Sequence, residues 1–358
     1  MRAITLLARW VLAPFTGVVL SSLVPPTLVG QDQPTKWGVI GIIDFYGLRT
    51  VSEEQIRAVL GIEEGDTLRS DRDSSRAADA KRRLAGIPGV TRAGLAAICC
   101  EAGQVVLFVG IEETPGVHLE YHPQPVGEIS LPREVVETYR EFLDAAAAAV
   151  RSGDAADDVS QGHSLMQNPA ARQLQERFLG YAEQHFDTLR QVLHRSADSE
   201  QRKIAAYVIG YAQDKKAVVD DLQYAVLDAD EDVRNNASRA LGAIAVLAQR
   251  RPELGIEIDP GRFIDMLNSL DWSDRNKAVM VLITLTGSRD ARMLEQLRQR
   301  ALPSLIDMTR WKSSWALGAY AILGRIAGLS DEELEDAWET GERERVIAQV
   351  IQSQRPER

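Results

Sequence analysis

Most of what marks a reactive or metal-bound site is missing from this 358-residue chain. It has two cysteines and five histidines, too few to set out a zinc site from paired thiolates and imidazoles. No phosphate loop, nucleophile elbow or serine–histidine–aspartate order occurs. The histidines, His118, His122, His163, His185 and His194, are spread over a linker, a loop and one helical stretch; His185 and His194, nine apart, share no helical face. Aromatic residues make up only 6%, and abundant alanine favours close-packed helices over sheet sandwiches. Basic residues number 41 against 52 acidic, a net charge of −11, and Lys81-Arg82-Arg83 is the sole tight basic run, on a helical pattern. That balance argues against nonspecific binding to nucleic acid or to anionic membrane surfaces. Beyond the first thirty residues no run approaches the ~20 apolar residues that a membrane span needs. The sequence thus predicts no catalytic, cofactor-binding or metal-binding residue.

The two cysteines, Cys99 and Cys100, are neighbours. A bond between neighbours closes almost no chain loop and needs a strained ring, and alternation along a strand sends adjacent side chains to opposite faces. The first expectation is two inert thiols. A vicinal disulfide and a redox or intermolecular role stay open.

What is present begins with MRAITLLARW, which carries Arg2 and Arg9 and no acid, then an apolar stretch from Val11 to Val29 and a polar exit at Gly30, Gln31 and Asp32. Basic, apolar, polar is the order of a secretory signal. Pro14, Pro25 and Pro26 interrupt the stretch and remove donors that a spanning helix must satisfy in lipid, so a cleaved signal over residues 1–31 is expected. Retention as an uncut signal-anchor is the alternative, and only then does a membrane contact follow.

The first folded unit spans residues 36–114. Val39 to Phe45 is a strand candidate ending near Gly47. Ser52 and Gln55 form a capping box for a helix whose apolar face is Ile56, Val59 and Leu60. A second helix follows from about Asp71 to Ala85, stopped by Gly86, Pro88 and Gly89; then come strands at Val90–Ile98 and Val105–Glu113. IIDFYGLRTVSEEQIRAVLGIEEGDTL, the helix carrying Arg82, Arg83 and Leu84, IPGV at Ile87–Val90 and the closing strand ending Glu112-Glu113-Thr114-Pro115 together resemble a POTRA domain, an α+β fold of order β-α-α-β-β. The Cys99-Cys100 pair departs from that pattern, and no transmembrane barrel follows. The resemblance implies docking outside the cytoplasm, commonly by adding a partner strand at a sheet edge, where unpaired backbone groups accept an extended segment. The candidate edge is the Arg92–Cys100 strand, giving Arg92, Ala96 and Ile98 as candidate partner-binding residues. The plainer alternative is a small structural domain that only packs against the helical region.

Residues 115–168 read as a proline-rich linker with one helix, from Pro132 to about Val150. Ala170 to Arg195 reads as one long amphipathic helix through Leu174, Phe178, Tyr181, Phe186, Leu189 and Leu193. From there a template recurs: AAYVIG from Ala205, ASRALG from Ala237, AVMVLI from Ala278 and AYAILG from Ala319, the alanines spaced 32, 41 and 41 apart. Such periodicity marks a stacked array. Three copies follow an acidic loop and an arginine: Asp198 with Arg202, Asp230 with Arg234, Asp271 with Arg275. The aspartate can cap a helix and the arginine can reach a neighbouring carboxylate. DADEDVRNNASRALGAIA, Asp228 to Ala245, looks like a HEAT repeat, and an all-α HEAT-like solenoid is expected over residues 169–353. The fourth copy departs, with Trp311 and Trp315 where acid and arginine are expected. An indole in such an array is most often core or cap packing; Trp272, Trp311 and Trp315 are also the candidate contact residues, since tryptophan is a frequent hot spot.

The expectation is therefore an exported, non-enzymatic scaffold or adaptor in the periplasm or cell envelope. It would bind protein partners, an envelope or outer-membrane protein among them, in envelope assembly, secretion or division. A membrane-anchored regulatory or sensory component, or an enzyme or cofactor-attachment factor, are the alternatives. Residues 116–358 are expected to fold alone as a helical unit.

Overall fold

The computed structural model describes residues 36–69, 73–114, 116 and 118–352; the signal-like segment over residues 1–31 lies outside them. Two compact units emerge. The first comprises Glu120–Met266 and Lys277–Gln296; the second comprises residues 36–119, Leu267–Asn276 and residues 297–352.

The second unit begins with β1 (Lys36–Tyr46), α1 (Glu53–Leu60), β2 (Thr67–Arg69), α2 (Asp73–Ala85), β3 (Val90–Glu101) and β4 (Gln104–Glu113). The capping box of α1 forms as the sequence predicts, with Ser52 and Gln55 bonding reciprocally, and Gly61 takes the left-handed conformation that ends the helix. The expected strand–helix–helix–strand–strand order is present, with β2 added. At three residues β2 is too short to show a period; Gly65 N donates to the Ile40 carbonyl and Ile40 N to the Asp66 carbonyl across the turn that brings it back to β1. The sheet order is β2-β1-β4-β3, with β1 parallel to β4 and the other pairs antiparallel.

One sheet face packs on α1 and α2 through Val105, Leu107, Val109 and Ile111 against Ile56, Leu60, Ala80 and Leu84. The opposite face is also covered. The Phe108 ring lies 5.0 Å from Trp272 and 4.8 Å from Trp311, Tyr46 Oη donates to the Leu270 carbonyl at 2.7 Å, and Trp311 Nε1 donates to the Phe45 carbonyl at 3.0 Å. Cover on both faces explains the unbroken apolar run of β4, since a strand with one wet face would alternate. Helices α10 (Trp272–Leu285), α11 (Ala291–Thr309), α12 (Ala316–Ile326), α13 (Asp331–Glu339) and α14 (Arg343–Gln352) supply the helical part of this unit, α10 and α11 each in part.

The fourth repeat lacks its own capping aspartate, and the sheet supplies the acceptors. Asp44 accepts from Lys312 N, Ser313 N and Ser313 Oγ at 2.7, 3.1 and 2.7 Å, and Glu101 accepts from Ser314 N and Oγ, all in the turn before α12. Residues 36–114 and the C-terminal helices thus share one core. Without the sheet, Trp272 and Trp311 lose the surface they cover, so deletion of residues 36–114 is the test of the expectation that residues 116–358 fold alone.

The first unit holds α3 (Arg133–Arg151), the two-residue strands β5 (Asp157–Asp158) and β6 (Leu165–Met166), α4 (Pro169–Gln184), α5 (Phe186–Arg195), α6 (Ser199–Ile209), α7 (Lys215–Ala225), α8 (Glu231–Arg250) and α9 (Gly261–Met266). Helix α3 does not stand apart in a linker: Tyr139 and Phe142 pack on Phe178 and Tyr207 at ring distances of 5.3–6.5 Å. The long helix expected over 170–195 is two helices that break at His185 (φ −115°, ψ 21°), where neither glycine nor proline signals it. Asp198 and Asp230 cap α6 and α8 through their side chains. The four template alanines, Ala205, Ala237 and Ala278 here and Ala319 in the second unit, are each fully buried.

Candidate functional site

Strand β3 ends the sheet, as the sequence reading places it. Arg92 is exposed and faces Glu112. Ala96 and Ile98 stand opposite Phe108 and Val106 in the ladder, so they share the face on which the tryptophans pack, and Ile98 is buried. The candidacy of the Ile98 side chain is corrected accordingly; what β3 offers is its backbone edge. The ladder shifts register between Cys99 and Glu101, which suspends strand alternation at the cysteine pair. Cys99 and Cys100 are bonded to each other there, in place of the two thiols first expected.

Trp272 and Trp311 are each 2% exposed and serve as packing for Phe108. Trp315 is half-buried and meets Trp272 edge-on at 5.2 Å. The contact role offered for Trp272 and Trp311 is corrected: an indole enclosed on both sides has no face left for a partner.

The repeat arginines do three different things. Arg202, 1% exposed, grips Asp228 with both arms of its fork at 2.8 Å and also donates to the carbonyl of Ser196. Burial alone would lower its pKa, but Asp228 more than compensates and raises it. Arg234 donates to the carbonyls of Asp228 and Ala229 and lies 3.9 Å over the Tyr121 ring. Arg275 donates through Nε to the Ser269 carbonyl at 2.5 Å and lies 4.6 Å over the Tyr46 ring. Its Nη1 meets no acceptor among the described residues. Burial pushes its pKa down to about 10.

Arg275 lines a cavity of about 260 Å³ within the second unit, together with Arg49, Arg300, Asn268, Ser304 and Glu113. Glu113 is saturated by donors from Arg49 N, Thr50 N and Oγ1, and Val51 N; burial opposes its ionisation, and these donors nevertheless hold its pKa low. Sequence reading singled out the arginine but not the cavity, because the walls come from four separated stretches.

The first unit also buries a polar network. Asp157 accepts from Arg239 at 2.8 Å and from Ser164, Gln175 donates to Tyr207 at 3.1 Å, and Tyr211 donates to the Ser164 carbonyl at 2.7 Å. Nearby, burial pushes His163 down to about 4 and Lys215 to about 8. The space beside it is about 20 Å³, room for a water and not for a substrate. Its partners face one another, which is what rigidifies a core. Among the described residues no three His, Cys, Asp or Glu side chains are placed to hold a metal, and no helix is long and apolar enough to cross a membrane.

Residues 186–253 match the family model for HEAT repeats. The HEAT match runs from α5 through α8 and takes in Arg202, Asp228 and the caps Asp198 and Asp230. A search of curated proteins finds no match. Among solved structures, the designed armadillo repeat protein YIII(Dq)4CqI aligns with 56% of this chain and 92% of its own length, at 19% identity and a TM-score of 0.34. The chain is a largely helical protein with a small N-terminal sheet, and residues 186–253 within it are HEAT-like repeats; helical repeats in general present surfaces that bind other proteins.

Proposed function

We propose that this chain is an exported, non-enzymatic scaffold of the cell envelope, in which a POTRA-like sheet docks an extended segment of a partner while the HEAT repeats offer a second binding surface. The observation that carries the reading is the position of β3. Both faces of the sheet are covered, by α1 and α2 on one side and by Trp272, Trp311 and Leu270 on the other. The outer edge of β3 is then the twelve-residue strand edge left for pairing, since β2 at the other end has three residues. Strand addition uses such an edge, with backbone groups supplying affinity. Export is supported by the basic, apolar, polar order of residues 1–32. The acidic balance fits a partner that is protein rather than nucleic acid.

The test uses the whole chain in its native cells. A photo-crosslinking residue placed at Arg92, on the β3 edge, is expected to capture one defined envelope protein. The same residue at Glu54, on exposed α1, is expected to capture none. Fractionation and N-terminal sequencing should find the protein outside the cytoplasm with a new start near residue 31 or 32. A cytoplasmic protein with its N-terminus intact would end the export reading; identical capture from both positions would end the docking one.

A further inference from the structure

We propose that the cavity beside Arg275 is a carboxylate-binding site, taking the planar carboxylate of a small organic acid or of a peptide C-terminus. The argument begins with the repeat register. Arg202 has its acid, Asp228, in the loop of the following repeat. At the array's spacing of 41 that acid position recurs as Ser269 and then as Arg310. That register puts a base, Arg310, where an acid stands for Arg202, and Arg310 is itself occupied with Glu344. Arg275 is 3% exposed. Asp307 and Asp274 act on it through space and Arg49 against them, but no carboxylate among the described residues stands in ion-pair contact with it, and a buried guanidinium without a contacting counter-ion is disfavoured.

The surroundings pre-orient the fork. The Tyr46 ring lies under its plane, and the Ser269 carbonyl takes Nε; the enclosed Nη1 has no acceptor among the described residues, in a residue that lines the cavity. Arg49 lines the same space, as do Asn268 and Ser304. Arg49 is paired with Asp307 at 2.7 Å, Ser304 donates to Asn268 Oδ1 and Asn268 to the Arg300 carbonyl, so the second oxygen would be bound by exchange with these partners. The guanidinium fork matches a planar two-oxygen acceptor. Glu112 and Glu113 also line the cavity, and two resident carboxylates repel a phosphate dianion more than a monoanion. Volume sets the size: about 260 Å³ is just below the usual range for small-molecule pockets, which suits a single carboxylate with a short stem. This site is independent of the docking edge on β3.

Isothermal titration of the whole chain at constant ionic strength tests it, with four probes: benzoate, inorganic phosphate, and acetyl-dialanine with a free or an amidated C-terminus. Saturable binding of benzoate or of the free-acid peptide is expected, at least tenfold tighter than phosphate, with the amide silent. A preference for the peptide identifies a chain terminus as the source; a preference for benzoate identifies a small acid. Arg275→Gln is expected to weaken binding at least tenfold. Arg49→Gln, at an exposed position, is expected to fold and to weaken it severalfold. Circular dichroism confirms the fold of each variant. The proposal is overturned if neither carboxylate binds, if phosphate binds as tightly, or if folded Arg275→Gln binds unchanged. Should Arg275→Gln not fold, unchanged binding by Arg49→Gln overturns it equally.

Discussion

Asp44→Ala removes one carboxylate from β1 and strands the donors it serves in the turn before α12. Three bonds go at once: Lys312 N, Ser313 N and Ser313 Oγ. Asp44 is 3% exposed and Ser313 fully buried, so at least the Ser313 amide has no ready access to water. Leaving a buried donor unmade costs about 1–3 kcal/mol. Against this, the variant no longer desolvates a charge, and the Ser313 hydroxyl can turn elsewhere. The balance is a loss of about 2–4 kcal/mol, in keeping with about 1.5–3 kcal/mol for a hydrogen bond to a charged group and about 1–3 kcal/mol for a buried donor left unmade. Urea unfolding followed by tryptophan fluorescence reads the effect where it arises, because Trp272 and Trp311 pack on Phe108 and Trp315 packs on Trp272. With a slope of about 3 kcal/mol per molar urea, the midpoint should fall by about 1 M. Far-UV circular dichroism should show the C-terminal helices melting in the same shifted transition. Asp79→Ala, on an exposed face of α2, serves as control and should change stability by less than about 0.5 kcal/mol, a midpoint shift under about 0.2 M. If Asp44→Ala matched that control, the shared core of sheet and C-terminal helices would be refuted.

Lys277 is 1% exposed, its Nζ lies 3.7 Å from the Met280 sulfur, and burial, with Arg239 adding to it, lowers its pKa from 10.5 to about 7. The unfolded chain then binds the extra proton between about pH 7 and 10.5, so stability rises with pH across that window. Lys277→Met should stabilise by up to about 5 kcal/mol at pH 6 and by nearly nothing at pH 10.5; thermal melts at the two pH values check this, and an equal gain at both would refute it. Asp228→Ala leaves Arg202 buried without its acid and should cost about 3–5 kcal/mol, whereas Arg202→Met with Asp228→Leu should come within about 1–2 kcal/mol of wild type, both read by denaturant titration. A Cβ on Gly324 would lie 2.0 Å from Leu334 Cδ2, so Gly324→Ala should lower the melting temperature despite alanine's better helix propensity. Deleting residues 36–114 should leave a protein that binds a hydrophobic dye and aggregates, through the uncovered Trp272 and Trp311; a monomeric, dye-silent product would contradict the shared core.

Local physics explains which parts were legible in advance. Ser52 with Gln55, and Asp198 and Asp230, announced their helix starts because a cap bonds within three residues of itself. The alanines recurred visibly because every helix pair meets the same crowding at its crossing. The apolar run of β4 was legible as a strand, though not as a strand covered on both faces. The break at His185 was invisible, since the apolar period continues through it. Nor could the role of Trp311 be read, because its neighbours Phe45 and Phe108 lie some 200 residues or more away in the chain.

By itself, then, the amino-acid order determined the elements, their caps and the period of the array, all of which depend on interactions a few residues long. Only the tertiary structure decided that the sheet completes the fourth repeat, that the tryptophans are enclosed, and that Arg275 faces a cavity in place of an acid. Those outcomes depend on which distant surfaces meet, and a side chain's burial and charge partners are set by that meeting, not by its neighbours along the chain.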